Sequence, residues 1–542
     1  MTFDDPATAS AQFAEGPDFA RSIPFRFDYT LNSHYSHLLD WLTGEIFRFH
    51  NLGIPRARTI EQIRRAIDCL VANFLEAHRI SPDCFVAISM SEEGFTRSRY
   101  RDFGFGYTNF KRVEDFFKNS DPSFVIFKRG FHDARGNSAN GRVSRYAPSD
   151  LLLGLIKGYN NVIGAHRNNN PFSMNQVVTE ARAHTEANPL PDSRKISIPL
   201  SSTDYSASSD CIRLKDPEKK LIDYEEITLT TVMRERLNRW NVFLAANHHI
   251  DLLLPDIELA NIYENNDADE AEEDVFFGYE GEQQRFVELK RIRLHRVFNN
   301  ATFDEGGRFY GGWWQRIPSK FRRRITINEY PTKEFDYSNL HAALLYAQEG
   351  LPLADDAYSL PTVSDQYRKL IKSTFFKLVN AREDQRITAP KIDALPPGMN
   401  WQQLQDALIA KHQPIARHFR SGSGLKLQRI DSDIAEQVML RMMADDLLVL
   451  PVHDSFITYH GCAERVANEM KRAFREHMNA DVEIAADPTF IEELIANGAD
   501  TEDLQASDYI DNIQADDRYA GYRDRYQEFW GTRTNDWYRR FG

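Results

Sequence analysis

Cysteine is scarce: there are 4 in 542 residues, and no two are spaced as CxxC. That excludes a disulfide framework and argues against a thiolate zinc site. Free thiols at this frequency suit a reducing, cytoplasmic setting. Long apolar runs are missing as well. The longest, Leu151 to Ile156, is broken by Gly154, so no membrane-spanning helix is expected. The opening segment, MTFDDPATASAQFAEG, is acidic and has no apolar centre, so no secretory signal is expected. Glycine and proline, at 27 and 23 residues, are too few for a fibrous or low-complexity chain. Basic charge is in deficit: 66 Lys and Arg against 80 Asp and Glu leave a net charge of −14. Taken whole, that balance argues against a nucleic-acid partner, because phosphate-binding proteins usually carry a basic excess.

The deficit is uneven. Residues 251–284 hold twelve acidic and no basic side chains, and residues 479–517 hold another twelve and no Lys or Arg. Residues 285–324 hold eleven Lys and Arg against three acids. Charges separated by more than a Debye length of ~8–10 Å are screened from one another, so the acidic segments do not cancel that local field. The chain reads as a basic body with two acidic appendages, and its overall sign says little about its substrate.

The length allows about three or four domains. Residues 1–25 read as a disordered lead-in. Residues 26–158 read as a mostly helical domain. Leu38, Leu39, Leu42, Ile46 and Phe47 recur at helical spacing, as do Ile60, Ile63, Ile67, Leu70 and Phe74 after a cap at Thr59. A strand is expected from Cys84 to Met90, a helix near 108–118, and strands at Phe124–Lys128 and Arg142–Tyr146 around a Gly-rich tip. This order fits a winged helix with Lys128, Arg129, Arg135, Arg142 and Arg145 facing a phosphate backbone. It fits equally well a hairpin with a solvated tip. An apolar helix follows from Asp150. Residues 159–210 read as a linker, and 211–284 as a helical connector (Leu229, Met233, Leu237, Trp240, Leu244) ending in an acidic loop. His248-His249-Ile250-Asp251 reads as structural, because further ligands at regular spacing are lacking. The last region, 481–542, is acidic and then aromatic; Tyr519, Tyr522, Tyr526 and Trp530 recur as in a helix packed on a core.

Three segments within 285–480 carry the chemistry. The first is Lys333–Tyr346: its Glu334–Asp336 is expected to pair with the preceding strand Ile325–Ile327 as a hairpin across Asn328–Thr332, with Asp336 at a strand end and Ser338 capping the next helix. In Asp365–Asn380, Arg368, Lys372, Phe376 and Asn380 are spaced by four and share a helix face. Two cations there suit a polyphosphate, and the aromatic suits a base. In Leu447–Tyr459, two apolar strands flank His453-Asp454-Ser455, with Asp454 at the turn. Taken singly, each also reads as ordinary structure: a strand end, a solvated basic helix edge, a turn aspartate.

Together and in this order they resemble motifs A, B and C of the family A polymerase palm, which is shared by DNA polymerase I-type enzymes and single-subunit phage-type RNA polymerases. Asp336-Tyr337-Ser338 resembles the DYS of the DNA enzymes, Arg368 and Lys372 the RxxxK of the fingers helix, and His453-Asp454-Ser455-Phe456 the HDSF of the phage RNA enzymes. Upstream, Gly307-Arg308 and Gln315-Arg316-Ile317-Pro318 resemble the GR…QNIP segment; Gln428 and the helix from Ser432 resemble, loosely, the template-contacting Gln segment. The resemblance implies an α+β fold: a right-hand palm, that is, an antiparallel sheet with packed helices, with reduced fingers. It implies two Mg²⁺ ions, with Mn²⁺ as an alternative, on Asp336 and Asp454. Two carboxylates suffice, since Mg²⁺ keeps waters and phosphate oxygens in its octahedron. It implies nucleotide contacts from Arg368, Lys372, Phe376, Asn380, His341 and Tyr337, and nucleic-acid contacts from Arg308, Gln315, Gln428 and His453.

There are departures. His341 stands where the DNA enzymes carry the Glu that excludes a ribose hydroxyl, and Asn380-Ala381 stands where both branches carry Tyr-Gly. Choice between deoxy- and ribonucleotides therefore stays open, with the DYS and GR…QxIP-like segments leaning towards DNA. The spacings, 32 residues from Asp336 to Arg368 and 82 from Lys372 to Asp454, are short for the family. No acidic motifs of a proofreading exonuclease precede the palm. The expected function is a template-directed DNA polymerase acting on a DNA or RNA template-primer with nucleoside triphosphates, in a replication or mobile-element setting. The alternatives are a primase or RNA polymerase, and an idle nucleic-acid-binding replication or defence protein.

Overall fold

The computed structural model describes residues 22–130, 143–166, 177–179, 210–262, 287–496 and 516–530, with short gaps inside the first and last stretches and at 362 and 392–393. The expected acidic loop at 264–274, most of the expected linker, and the tip with Arg135 and Arg142 lie outside them. The chain forms two compact units. One takes its described residues from Met1–Ser209, Pro255–Val287 and Arg518–Gly542, the other from Asp210–Leu254 and Glu288–Asp517. Both mix α-helix with mainly antiparallel sheet.

In the first unit, helices α1 (Ser36–Phe49) and α2 (Ala57–Ile80) bury the stripes that their periodicity predicts, Leu38, Leu42 and Ile46 against Ile63, Ile67, Leu70 and Phe74. Helix α2 begins at Ala57, so Thr59 lies inside it and does not cap it. Strands β1 (Ser22–Pro24), β2 (Phe85–Ile88), β3 (Val125–Lys128) and β4 (Ser144–Pro148) form a sheet in the order β1-β2-β4-β3. Helix α3 (Tyr107–Asn119) precedes the β3–β4 hairpin, and α4 (Asp150–His166) follows it, running into the expected linker. On the hairpin, Lys128 lies over the Phe85 ring, and Arg145 reaches the Ser22 hydroxyl. All four cysteines are buried, and none is in a disulfide. Tyr522 is buried, as a packed C-terminal helix requires.

The second unit holds two sheets. Strands β5 (Ile212–Lys215), β6 (Leu221–Ile222), β8 (His295–Phe298) and β9 (Gly306–Tyr310) are ordered β6-β5-β8-β9. The other sheet orders β12 (Val449–Val452), β13 (Ser455–Tyr459), β11 (Tyr330–Tyr337), β10 (Ile325–Ile327) and β7 (Ile250–Leu252), with β14 (Ile484–Ala486) also on β11. Helix α5 (Thr228–Asn247) buries Met233, Leu237, Trp240 and Leu244 but leaves Leu229 exposed. Helices α6 (Leu340–Gln348), α7 (Arg368–Asn380), α8 (Trp401–Lys411), α9 (Gly424–Ala444), α10 (Ala463–Met478) and the short α11 (Phe490–Ala496) complete the unit.

Four expectations are corrected here. The β10–β11 turn is only Asn328-Glu329, both at positive φ, because Ile327 pairs with Tyr330 and Thr326 with Pro331. A two-residue hairpin loop needs that backbone hand to match strand twist. Residues Glu334–Asp336 pair with β13 rather than β10. Ser338 does not cap α6: Asn339, at positive φ, holds the cap position, and the Ser338 amide donates to the Glu483 carbonyl. Helix α9 starts at Gly424, eight residues before Ser432. His249 and Asp251 lie on or beside β7, 3.5 Å apart and buried, as structural side chains do.

Helix α9 packs tightly on β9, and Gly307 permits it. Gly307 has φ +85°, and a Cβ there would meet Phe298 at 2.7 Å and the Ser432 hydroxyl at 3.0 Å. The Gly307→Ala variant should lose about 1–3 kcal/mol of stability through backbone strain and overpacking. Urea unfolding would detect that as a lowered midpoint without a change of slope.

Candidate active site

Register places the two aspartates side by side. Strands β11 and β13 are antiparallel, with Phe335 opposite Phe456 and Asp336 opposite Ser455. Asp454 immediately precedes Ser455, in the two-residue turn that Val452 and Ser455 close. His453, the other turn residue, takes a left-handed φ of 57°. Strand alternation buries Phe335 and Tyr337 and leaves Asp336 exposed between them. Tyr337 accordingly points away from Asp336; its hydroxyl donates to the Met470 carbonyl at 2.8 Å.

The aspartates sense each other. The surrounding protein and then the Asp454 charge push the Asp336 carboxyl up to about 8, with Glu334 and Asp487 adding to the rise and Lys372 opposing it. Like charges this close disfavour joint ionisation. A carboxylate pair held together in this way is a donor set suited to divalent cations. Among the described residues no group of three or more His, Cys, Asp or Glu side chains is arranged to hold a metal ion; the pair offers two ligands, leaving room for water and phosphate oxygens.

Helix α7 brings the cations. Lys372 is exposed, within electrostatic reach of Asp336. Arg368 holds Asp356 through two hydrogen bonds of 2.8 and 2.9 Å and lies over the Tyr358 ring, 5.4 Å from its centroid. Phe376 is buried, meeting His341 edge-on at 5.1 Å and Tyr358 at 6.1 Å. Asn380, one turn on, donates to its own helix at the Phe376 carbonyl, and Gly424 leaves room for its amide.

Beneath this face lies a buried ionic network. Arg308 donates to Asp431 from Nε at 3.0 Å and from Nη2 at 2.5 Å; their side chains are 2% and 1% exposed. His341 Nε2 lies 3.1 Å from Arg308 Nη2 and 3.2 Å from Asp431 Oδ2, so it accepts from one or donates to the other according to tautomer. Beside it Arg296, wholly buried, binds Glu436, Asp433, the Ser432 hydroxyl and the Gly307 carbonyl. Gln315 is buried too. Its amide nitrogen donates to the Phe309 and Pro451 carbonyls, and the Trp314 indole also donates to Pro451. Together they brace β12 two residues before the His453-Asp454 turn. His453 packs on Tyr310 at 5.8 Å; burial and then the Arg308 charge push it down to about 3. Gln428 is half-buried on α9.

Of the residues singled out in the sequence, Asp336, Asp454 and Lys372 are brought within electrostatic reach, and Phe376, His341 and Arg308 form a contiguous layer. Tyr337 and Gln315 are committed to the interior. Sequence reasoning missed Asp431, Glu334 and Tyr358. Glu334 accepts from the Ser455 hydroxyl at 2.5 Å and pairs with Arg322 at 3.0 Å, tying β11 to β13 beside both aspartates. Tyr358 is buried close enough to Asp454 and Asp336 for both charges to raise its pKa after burial has done so. The available signal was acidic: Asp431 and Glu436 interrupt a helix that otherwise buries Leu427, Ile434, Val438 and Met439.

Comparison with known proteins adds little to this geometry. No family model matches the chain, and no curated protein does. Among solved structures, one that it resembles is the POL domain of Pol1 from M. smegmatis, in complex with DNA primer-template and dNTP. Identity is 14%, the TM-score is 0.24, and the likeness covers 36% of this chain and 47% of that one. The chain thus spans about half the length of that domain.

The Arg308–Asp431 pair generates a prediction. Burial alone would raise the Asp431 carboxyl; the Arg308 charge and hydrogen bonds from His341 and Arg308 more than offset that and hold it below the usual range. Asp431→Ala removes the carboxylate that binds a buried guanidinium and should cost about 3–5 kcal/mol. A depressed carboxyl contributes its stability in full above its unfolded value of about 4 and loses it as pH falls through the lower native value. The stability gap between wild type and Asp431→Asn, measured by urea unfolding across pH, should therefore narrow below about pH 4.

Proposed function

We propose that the second unit is a template-directed nucleotidyltransferase that extends a nucleic-acid 3′ end from nucleoside triphosphates, with deoxynucleotides as the favoured class. The observation that carries this reading is the adjacency of Asp336 and Asp454 across the β11–β13 register, with Lys372 near enough to feel their charge. Asp336 and Asp454 would hold divalent cations, Mg²⁺ or Mn²⁺, whose chemistry is to activate the 3′-hydroxyl and neutralise the leaving pyrophosphate. The chain's own residues do the positioning. Arg368 and Lys372 neutralise the triphosphate, Arg368 exchanging Asp356 for phosphate oxygens in the bidentate geometry that a guanidinium offers. Phe376 stacks on the nascent base pair, backed by His341 and Tyr358. Arg308 and Gln315 support this surface from beneath rather than touching the primer.

In this reading residues 285–480 are the palm with short fingers. The α3–β3–β4 arrangement of the first unit, with Lys128, Arg129 and Arg145 on or beside the hairpin, acts as a nucleic-acid-binding module. Buried cysteines that form no disulfide suit a cytoplasmic setting. A second reading, primase or RNA polymerase, is favoured by one observation. His341 is engaged with Arg308 and Asp431, so this position holds a fixed imidazole behind Phe376 and not an excluding carboxylate.

Primer extension decides among these. With Mg²⁺, wild type should incorporate dNTPs on a primed template, and Asp336→Ala and Asp454→Ala should each lose at least about a hundredfold in rate, as removal of a metal ligand worth several kcal/mol requires. Greater incorporation of NTPs, or synthesis without primer, would move the assignment to the second reading. Absence of either incorporation in wild type, or full activity in both variants, removes it.

A further inference from the structure

A second concentration of charge lies outside the aspartate pair, on the sheet β6-β5-β8-β9. Arg213 and Lys215 are two residues apart on β5 and so share a face. Strand β5 pairs in parallel with β8, Ile212 opposite Arg296 and Arg213 opposite Val297. Arg213 Nη1 comes within 3.1 Å of His295 Nε2. Arg291 and Arg293 lead into His295 along the chain. All four cations bear on this imidazole: burial first, then Arg213, Arg291, Arg293 and Lys215 in turn, drive its pKa well below the ordinary value. Four cations drawn to one half-buried histidine create a local positive potential, which is where an anion gains most.

The cluster is also connected. His295 is opposite Tyr310 in the β8–β9 register, with rings 6.4 Å apart. Tyr310 in turn meets His453 at 5.8 Å, and His453 is the residue before Asp454. The path from the cations to the aspartates therefore runs through three aromatic rings in contact.

We propose that Arg213, Lys215, Arg291, Arg293 and His295 form a subsite for the phosphodiester backbone of a nucleic-acid strand, leading that strand past Tyr310 to Asp336 and Asp454. The direction of the path rests on the nucleotidyltransferase reading; the anion subsite does not. Arg213, Arg291 and Arg293 each have a further interaction within the protein, so a backbone phosphate joins or replaces a partner already present. A free triphosphate has the same phosphate chemistry; a strand of linked phosphates is what cations spread over β5 and the segment leading into β8 fit.

The test is equilibrium binding of the full chain to fluorescein-labelled single-stranded and primer-template DNA, without divalent ions, over a series of salt concentrations. Removing one cation that neutralises a backbone phosphate should lower the slope of log K against log salt by about 1. Arg213→Gln, Arg293→Gln and Lys215→Gln should each weaken binding several-fold and flatten the slope by that amount, whereas Arg213→Lys should keep most of it. Lys215→Gln, at the end of β5, carries the same expectation should an arginine variant unfold. Unchanged slopes in the folded Gln variants overturn the proposal. So does displacement of the DNA by dATP as readily as by an unlabelled oligonucleotide of equal phosphate concentration, which would make the cluster a nucleotide site. Because no catalysis is read, flattened slopes in a protein that extends no primer would leave this subsite standing and remove the catalytic reading. Unchanged slopes in an active polymerase would do the reverse.

Discussion

The pairing of β11 with β13 is the constraint on which the second unit depends. With Asp336 opposite Ser455, Phe335 and Phe456 are both buried, and Asp454 emerges from its turn beside Asp336. A slip of one residue would turn every side chain of β11 to the opposite face, exposing Phe335 and Tyr337 and burying the Asp336 carboxyl. The hydrophobic cost of that slip is what holds two carboxyl groups together. Local devices then reinforce the register. Glu334 accepts from Ser455, Trp314 and Gln315 bind the Pro451 carbonyl, and Thr458 donates to Leu448.

A second layer of order comes from buried charge. Arg308 and Arg296 are inside the protein, and each needs counter-ions where water cannot serve. Helix α9 supplies them from consecutive turns, Asp431 to Arg308 and Glu436 to Arg296. Such pairs seldom add net stability over well-packed apolar groups, but they penalise any arrangement that separates the partners. Their effect here is geometric. They fix α9 against β9 and hold His341 by its Nε2, and His341 in turn meets the edge of Phe376. The ring intended for a base is thus set from beneath.

How much of this is legible in the sequence follows from the range of each interaction. The helix stripes of α1, α2 and α5, and the polar tip between two apolar strands at 449–459, are local patterns and can be read directly. So can the four-residue spacing of Arg368, Lys372, Phe376 and Asn380. The pairing of Glu334–Asp336 is not legible, because Ile325–Ile327 is near in sequence while the true partner, β13, lies more than a hundred residues away. Ser338 suits a helix cap by residue type, but tertiary interactions recruit its amide to Glu483. The acids of α9 are a visible irregularity, but the role of Asp431 is not legible, for a related reason. A buried acid is recognisable only once its arginine is known to be buried too, and Arg308, 123 residues earlier, looks like a surface cation in the sequence.

That last point changes how the charge of the chain is understood. The eleven Lys and Arg of residues 285–324 suggest a basic surface next to the aspartates. The fold divides them. Arg296 and Arg308 are consumed by Glu436 and Asp431, Arg322 is tied to Glu334, and Arg323 to Glu493 of α11. Arg291 and Arg293 instead gather with Arg213 and Lys215, from a strand about eighty residues upstream, around His295. A count along the sequence therefore overstates the charge available beside Asp336 and misses a concentration assembled from β5 and the segment leading into β8. Net charge misleads here because burial, more than number, decides which cations a phosphate can meet.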